Sequence, residues 1–93
     1  MLSEMIKTLR EDAGYSQSQL AKKLDVTRSS VNAWEMGLST PTTHYVVALA
    51  KLFHVSTDYL LGIDNKRNIV LDGYSKSEIE LIYNLIKYFD EHK

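Results

Sequence analysis

The chain has 93 residues, 44% of them hydrophobic and 25% charged, with a formal net charge of -1. Such a chain is expected to be soluble and globular around one modest core, which leaves little room for a large ligand cavity or a multi-part active site. It contains no cysteine, which excludes disulfides, thiolate metal sites and cysteine nucleophiles.

Leu2, Met5, Ile6, Leu9 and Ala13 recur at helical spacing and predict an amphipathic first helix, with Ser3, Glu4, Lys7, Arg10 and Glu11 on its other face. The charges scattered through Met1–Asp12 are unlike the apolar core of a signal peptide. No apolar run in the chain approaches the about 18 residues of a membrane span, so no membrane contact is expected and the expected location is the cytoplasm.

Gly14 stops the first helix, as a glycine just past a helix end does. Ser16 is a good N-cap for a second helix, with Gln19 placed to complete a capping box. Leu20, Ala21 and Leu24 are its inward positions. Thr27 caps a third helix reaching about Met36, with Val31 and Trp34 turned inward, and Gly37 ends it. After the loop Leu38–Pro41, Thr42 caps a fourth helix carrying Tyr45, Val46, Leu49, Leu52 and Phe53. Ser56 caps a short fifth helix with Tyr59, Leu60 and Leu61, closed by Gly62.

Residues 64–68 read as a polar linker between a domain at 1–63 and a segment at 69–93. Ile69-Val70-Leu71 is a short β-prone run, followed by the turn signal Asp72-Gly73. Ser75 and Glu78 form a capping box that opens a last helix to about Phe89. The expected fold is thus an all-α domain of five helices, then a short β-strand and a C-terminal helix.

The most informative stretch is QSQLAKKLDVTRSSVNAWEM, residues 17–36. Two short helices joined by a tight turn must cross closely, which requires a small residue, here Ala21, and a wedge of Leu20, Leu24, Val26, Val31 and Trp34. The outward positions of the second helix are polar: Arg28, Ser29 and Asn32. Arginine pairs bidentately with guanine, asparagine with adenine, and serine with a donor or an acceptor. A helix bearing these residues on its first turns suits the major groove of DNA.

Residues 2–62 resemble the lambda-repressor/Cro-like helix-turn-helix domain of bacterial and phage regulators. The resemblance rests on LREDAGYSQSQLAKKLDVTRSSVNAWEMG, the Pro41-Thr42 opening of the fourth helix, and LAKLFHVSTDYLLG. It implies a sequence-specific regulator of transcription, a repressor by family habit, on double-stranded operator DNA. By the same resemblance Arg28, Ser29, Asn32 and Ala33 face bases, Ala33 only through a thymine methyl. Gln17, Thr27, Ser30, Ser39, Thr40, Thr42 and Thr43 face the DNA backbone, and Arg10 pairs with Glu35 to orient the third helix. Two departures stand out: Asp25 and His54 occupy turns where the family often has glycine. Both residue types tolerate left-handed backbone better than most.

Each of these residues also has a plainer reading. Trp34 fits the core better than a base-stacking role. Lys22 and Lys23 fit a solvated helix face as well as a phosphate contact. Arg28 has phosphate as its main rival target, and Asn32 could be exposed and idle. His44, His54 and His92 show no metal-ligand spacing. No serine pairs with a histidine and an acid, so no catalytic residue, no metal and no cofactor is expected.

Residues 68–93 hold three Lys against five Asp/Glu, and residues 1–67 hold eight Lys/Arg against seven Asp/Glu. A domain so nearly neutral binds DNA weakly as a single copy. The tail offers a remedy. The strand Ile69-Val70-Leu71 lacks a partner within the chain, and an exposed edge invites pairing with another copy. In the last helix Ile79, Ile82, Ile86 and Phe89 form one apolar stripe, beside a second formed by Leu81, Leu85 and Tyr88. So wide an arc must bury more than one side. A homodimer through Ile69, Val70, Leu71, Ile79, Ile82, Leu85, Ile86 and Phe89 is the expectation. A cover for the first domain, or a dock for an antirepressor or toxin protein as in an antitoxin, are the other readings.

Overall fold

A computed structural model of the chain describes residues 1–93. It contains α1 (Leu2–Asp12), α2 (Gln17–Leu24), α3 (Arg28–Glu35), α4 (Thr43–Phe53), α5 (Thr57–Leu60) and α6 (Lys76–Glu91). No helix is long and apolar enough to cross a membrane.

Short polar side chains start most of these helices by satisfying main-chain donors that have no partner within the helix. The Ser16 hydroxyl accepts from the Gln19 N–H at 3.1 Å, and the Gln19 side chain accepts from the Ser16 N–H at 2.8 Å. Thr27 and Ser56 accept from the N–H groups of Ser30 and Tyr59. Thr42 occupies the cap position of α4 but makes no capping bond with its side chain.

The turns that expectation gave to Asp25 and His54 are left-handed, with φ of 56° and 55°. Asp25 turns the chain sharply between α2 and α3, and its N–H reaches the carbonyls of Ala21 and Lys22. His54 does the same at the end of α4, reaching Ala50 and Lys51.

The apolar faces of α1–α5 converge on Ile6, Leu9, Leu20, Val31, Leu49 and Leu60, with Ala21, Trp34, Val46, Ala50 and Val55 completing the cluster. Leu24 and Val26, expected in the wedge, are half-buried at its margin, and Leu61 is exposed. Trp34 is a core residue; its ring centroid lies 5.6 Å from that of Tyr45. Leu20 is fully buried at the centre, so truncation to alanine costs about 2–5 kcal/mol through the cavity it leaves.

The tail corrects one expectation. Ile69-Val70-Leu71 forms no β-strand. The ladder groups of Val70 are taken up by a residue, not by a strand: its N–H donates to the His54 carbonyl at 2.8 Å, and its carbonyl accepts from His54 Nδ1 at 3.1 Å. Because a carbonyl can only accept, Nδ1 carries a proton, and Nε2 on the other side of the ring lies 2.8 Å from the Tyr74 hydroxyl. Arg67 adds an exposed ion pair to Asp12 at 2.9 Å. The segment is thereby laid along its own domain.

From Ser75, whose capping box with Glu78 starts α6, the chain leaves the domain. Only Ile79 and Ile82 of α6 are partly covered, while Leu81, Tyr83, Leu85, Ile86, Tyr88 and Phe89 are all at least 43% exposed. The projecting helix stretches the molecule to a radius of gyration of 14.6 Å, against about 12 Å for a compact chain of this length.

Candidate nucleic-acid interface

The outer surface of α2 and α3 is organised from behind by Arg10. Its Nε donates to Glu35 Oε2 at 2.7 Å and a terminal nitrogen donates to Oε1 at 3.1 Å, so the pair is bidentate. A third donor reaches the Tyr15 carbonyl at 2.8 Å and fixes the turn between α1 and α2. The two side chains are only 11% and 3% exposed. The Glu35 carboxylate, chiefly by accepting these hydrogen bonds, holds the Arg10 guanidinium above its ordinary range against the opposing cost of burial. One ion pair thus ties α1 to the C-terminal end of α3 and to the entrance of α2.

Gln17 stands at the first position of α2, where it meets this pair. Its side-chain nitrogen donates to Glu35 Oε1 at 3.1 Å and to Asn32 Oδ1 at 3.2 Å. Both amide hydrogens are therefore used within the protein. The main-chain N–H groups of Gln17 and Ser18, in the first turn of α2, have no helical partner.

At the start of α3, Thr27 Oγ1 and Ser30 Oγ lie 2.9 Å apart, with Thr27 Oγ1 also accepting from the Ser30 N–H. One hydroxyl proton is consumed in their mutual bond, so the pair retains a single outward donor. Arg28 and Ser29 are exposed and make no side-chain hydrogen bond or ion pair. Ala33, one residue past Asn32, is half-buried. Ser39 and Thr40 are exposed in the turn beyond α3, and Thr42 and Thr43 are exposed at the start of α4.

The structure thus joins Arg10, Glu35, Gln17 and Asn32 in one network and pairs Thr27 with Ser30. It leaves Arg28 and Ser29 free in solvent. The network's reach to Asn32 is absent from the sequence reading. Its bonds span 15 and 18 residues, and no local pattern marks them.

The helix-turn-helix family model matches residues 6–60, more than half of the chain. ImmR, an HTH-type transcriptional regulator of Bacillus subtilis (strain 168), is 38% identical over 69 residues, covering 72% of this chain and 54% of ImmR. This chain therefore spans about half the length of that relative. YonR, an SPbeta prophage-derived uncharacterized HTH-type transcriptional regulator of the same organism, is 32% identical, covering 99% of this chain and 100% of YonR. Among solved structures, the P22 c2 repressor in complex with a synthetic operator superposes with a TM-score of 0.64 at 30% identity, over 69% of this chain and 97% of that one. With the α2–turn–α3 geometry in place, these matches make the chain a member of the lambda-repressor/Cro-like helix-turn-helix family of DNA-binding transcriptional regulators.

Proposed function

We propose that the chain is a homodimeric repressor that occupies a two-fold symmetric operator, with α3 in the major groove of each half-site. The observation that carries this reading is the exposed row of Arg28, Ser29 and Asn32, the first two free in solvent and Asn32 held by Gln17, on a helix clamped from behind by Arg10 and Glu35. Arg28 is the direct reader of guanine and Ser29 and Asn32 flank it, while the Ala33 methyl is restricted to a thymine methyl. The backbone is held by the free N–H groups at the start of α2, by the remaining hydroxyl donor of Thr27 and Ser30, and by Ser39, Thr40, Thr42 and Thr43. Hydroxyls and amides replace most lysines here, which limits the electrostatic share of affinity and increases the need for two copies.

The tail supports the dimer. The chain exposes 6753 Å², against about 5,500 Å² for a compact monomer of its mass. That excess exceeds the roughly 800 Å² per partner of a stable interface. The natural occupant is a second copy, whose own Leu85, Ile86 and Phe89 are exposed in the same way. Residues 1–63 are the reading domain, 64–68 the linker and 69–93 the dimerising segment. If a toxin or antirepressor covers α6 instead, the purified chain is monomeric.

A titration of wild type and Arg28→Ala against genomic fragments at two salt concentrations tests the reading. Specific binding weakens as salt rises. The substitution costs roughly 1–3 kcal/mol and relaxes preference at one base. Equal weakening on every sequence would make Arg28 a phosphate contact, and no preference among fragments would contradict the function itself.

A further inference from the structure

We infer that Gln17 is a positioning residue for base specificity: it fixes the polarity of the Asn32 amide so that Asn32 meets DNA as a hydrogen-bond donor and selects guanine over adenine. This rests on the proposal that Asn32 reads a base.

An asparagine amide has an oxygen end and a nitrogen end of nearly the same shape, and its environment decides which faces where. Here the decision is made three residues away. Arg10 has only donors, and it takes Glu35 bidentately. The Glu35 carboxylate has only acceptors, so the atom of Gln17 that approaches Oε1 at 3.1 Å must be the nitrogen. The second hydrogen on that nitrogen points to Asn32 at 3.2 Å, so the atom of Asn32 that receives it must be the oxygen. No link in this series can be reversed without setting two acceptors or two donors against each other.

The consequence lies at the exposed end. Asn32 Oδ1 is held toward α2, and its Nδ2 has no hydrogen-bond partner within the chain. Bidentate pairing with adenine needs Oδ1 to accept from N6 while Nδ2 donates to N7. Gln17 holds the oxygen away from that geometry. Guanine presents two neighbouring acceptors, O6 and N7, which an outward NH2 group can share. Cytosine presents only a donor and is the base most strongly rejected.

The test is selection from a random DNA library with wild type, Asn32→Ala and Gln17→Leu, with Gln17→Met as a second variant of similar length and no donor. The expected result is a guanine preference of roughly tenfold over adenine at one position per half-site for wild type, lost in Asn32→Ala. In both Gln17 variants preference at that same position shifts toward adenine, because the freed amide can turn. A merely structural role for Gln17 lowers affinity for all sequences equally and leaves the guanine preference intact, which overturns the inference. A wild-type preference for adenine at the Asn32-dependent position also overturns it. If Asn32→Ala alters no position, the reading role of Asn32 falls first, and that outcome is distinct from failure of the Gln17 arm.

Discussion

Arg10 and Glu35, separated by 25 residues in the chain, meet in a bidentate ion pair whose shorter bond is 2.7 Å. The pair holds α3 at an angle set by α1 and supplies the carboxylate that anchors Gln17. Its removal therefore has two separable effects. In Arg10→Met, the 3% exposed Glu35 side chain loses its counter-charge, at a cost of about 3–5 kcal/mol. The double variant Arg10→Met, Glu35→Met recovers much of that stability because no buried charge is left alone. It does not recover operator binding, since Gln17 has lost its anchor. Denaturant melts read the first effect and DNA titrations the second.

Asp25 and His54 share the same left-handed backbone, yet substitution by glycine has opposite consequences. Asp25→Gly removes a steric penalty of about 1 kcal/mol and raises Tm by roughly 4–8 °C. His54→Gly relieves the same penalty but deletes the ring that holds Val70 and Tyr74. Amide hydrogen exchange at Val70 should then accelerate while the α1–α5 core stays protected.

The exposed stripe on α6 predicts a dimer in solution. Sedimentation of the intact chain at micromolar concentration should give twice the monomer mass. Leu85→Glu, or truncation after Asn65, should give a folded monomer with weakened operator binding. A wild-type monomer contradicts the proposed role of the tail.

Glu78 makes α6 sensitive to acid. Hydrogen bonds from the Ser75 N–H and hydroxyl hold the Glu78 carboxyl below its ordinary value of 4.5. A folded value below the unfolded one means the stabilisation is present above pH 4.5 and fades as pH falls through the folded value. Far-ultraviolet circular dichroism should report loss of α6 helicity in that acid range. Glu78→Gln, which can still accept from its cap, should remove the pH dependence.

The sequence reveals whatever depends on near neighbours. The spacing of Ile6 and Leu9, the capping pairs Ser16–Gln19 and Ser75–Glu78, and the turn residues Asp25 and His54 each encode their local geometry within a few positions. The strand expected at Ile69–Leu71 fails for the opposite reason. Val70 finds its partner in His54, 16 residues back, and a β-prone run carries no record of that pairing. The Arg10–Glu35 pair is available only through family resemblance, and its extension to Gln17 and Asn32 emerges only when α2 and α3 are packed together.

The measurement that bears most directly on the account is recovery of bound DNA from a random library by the intact chain. The account predicts an inverted repeat whose half-sites are centred about one helical turn, roughly 10 base pairs, apart, with enriched bases that change in Arg28→Ala. An unrepeated motif, or a pool with no enrichment over the input, would contradict it.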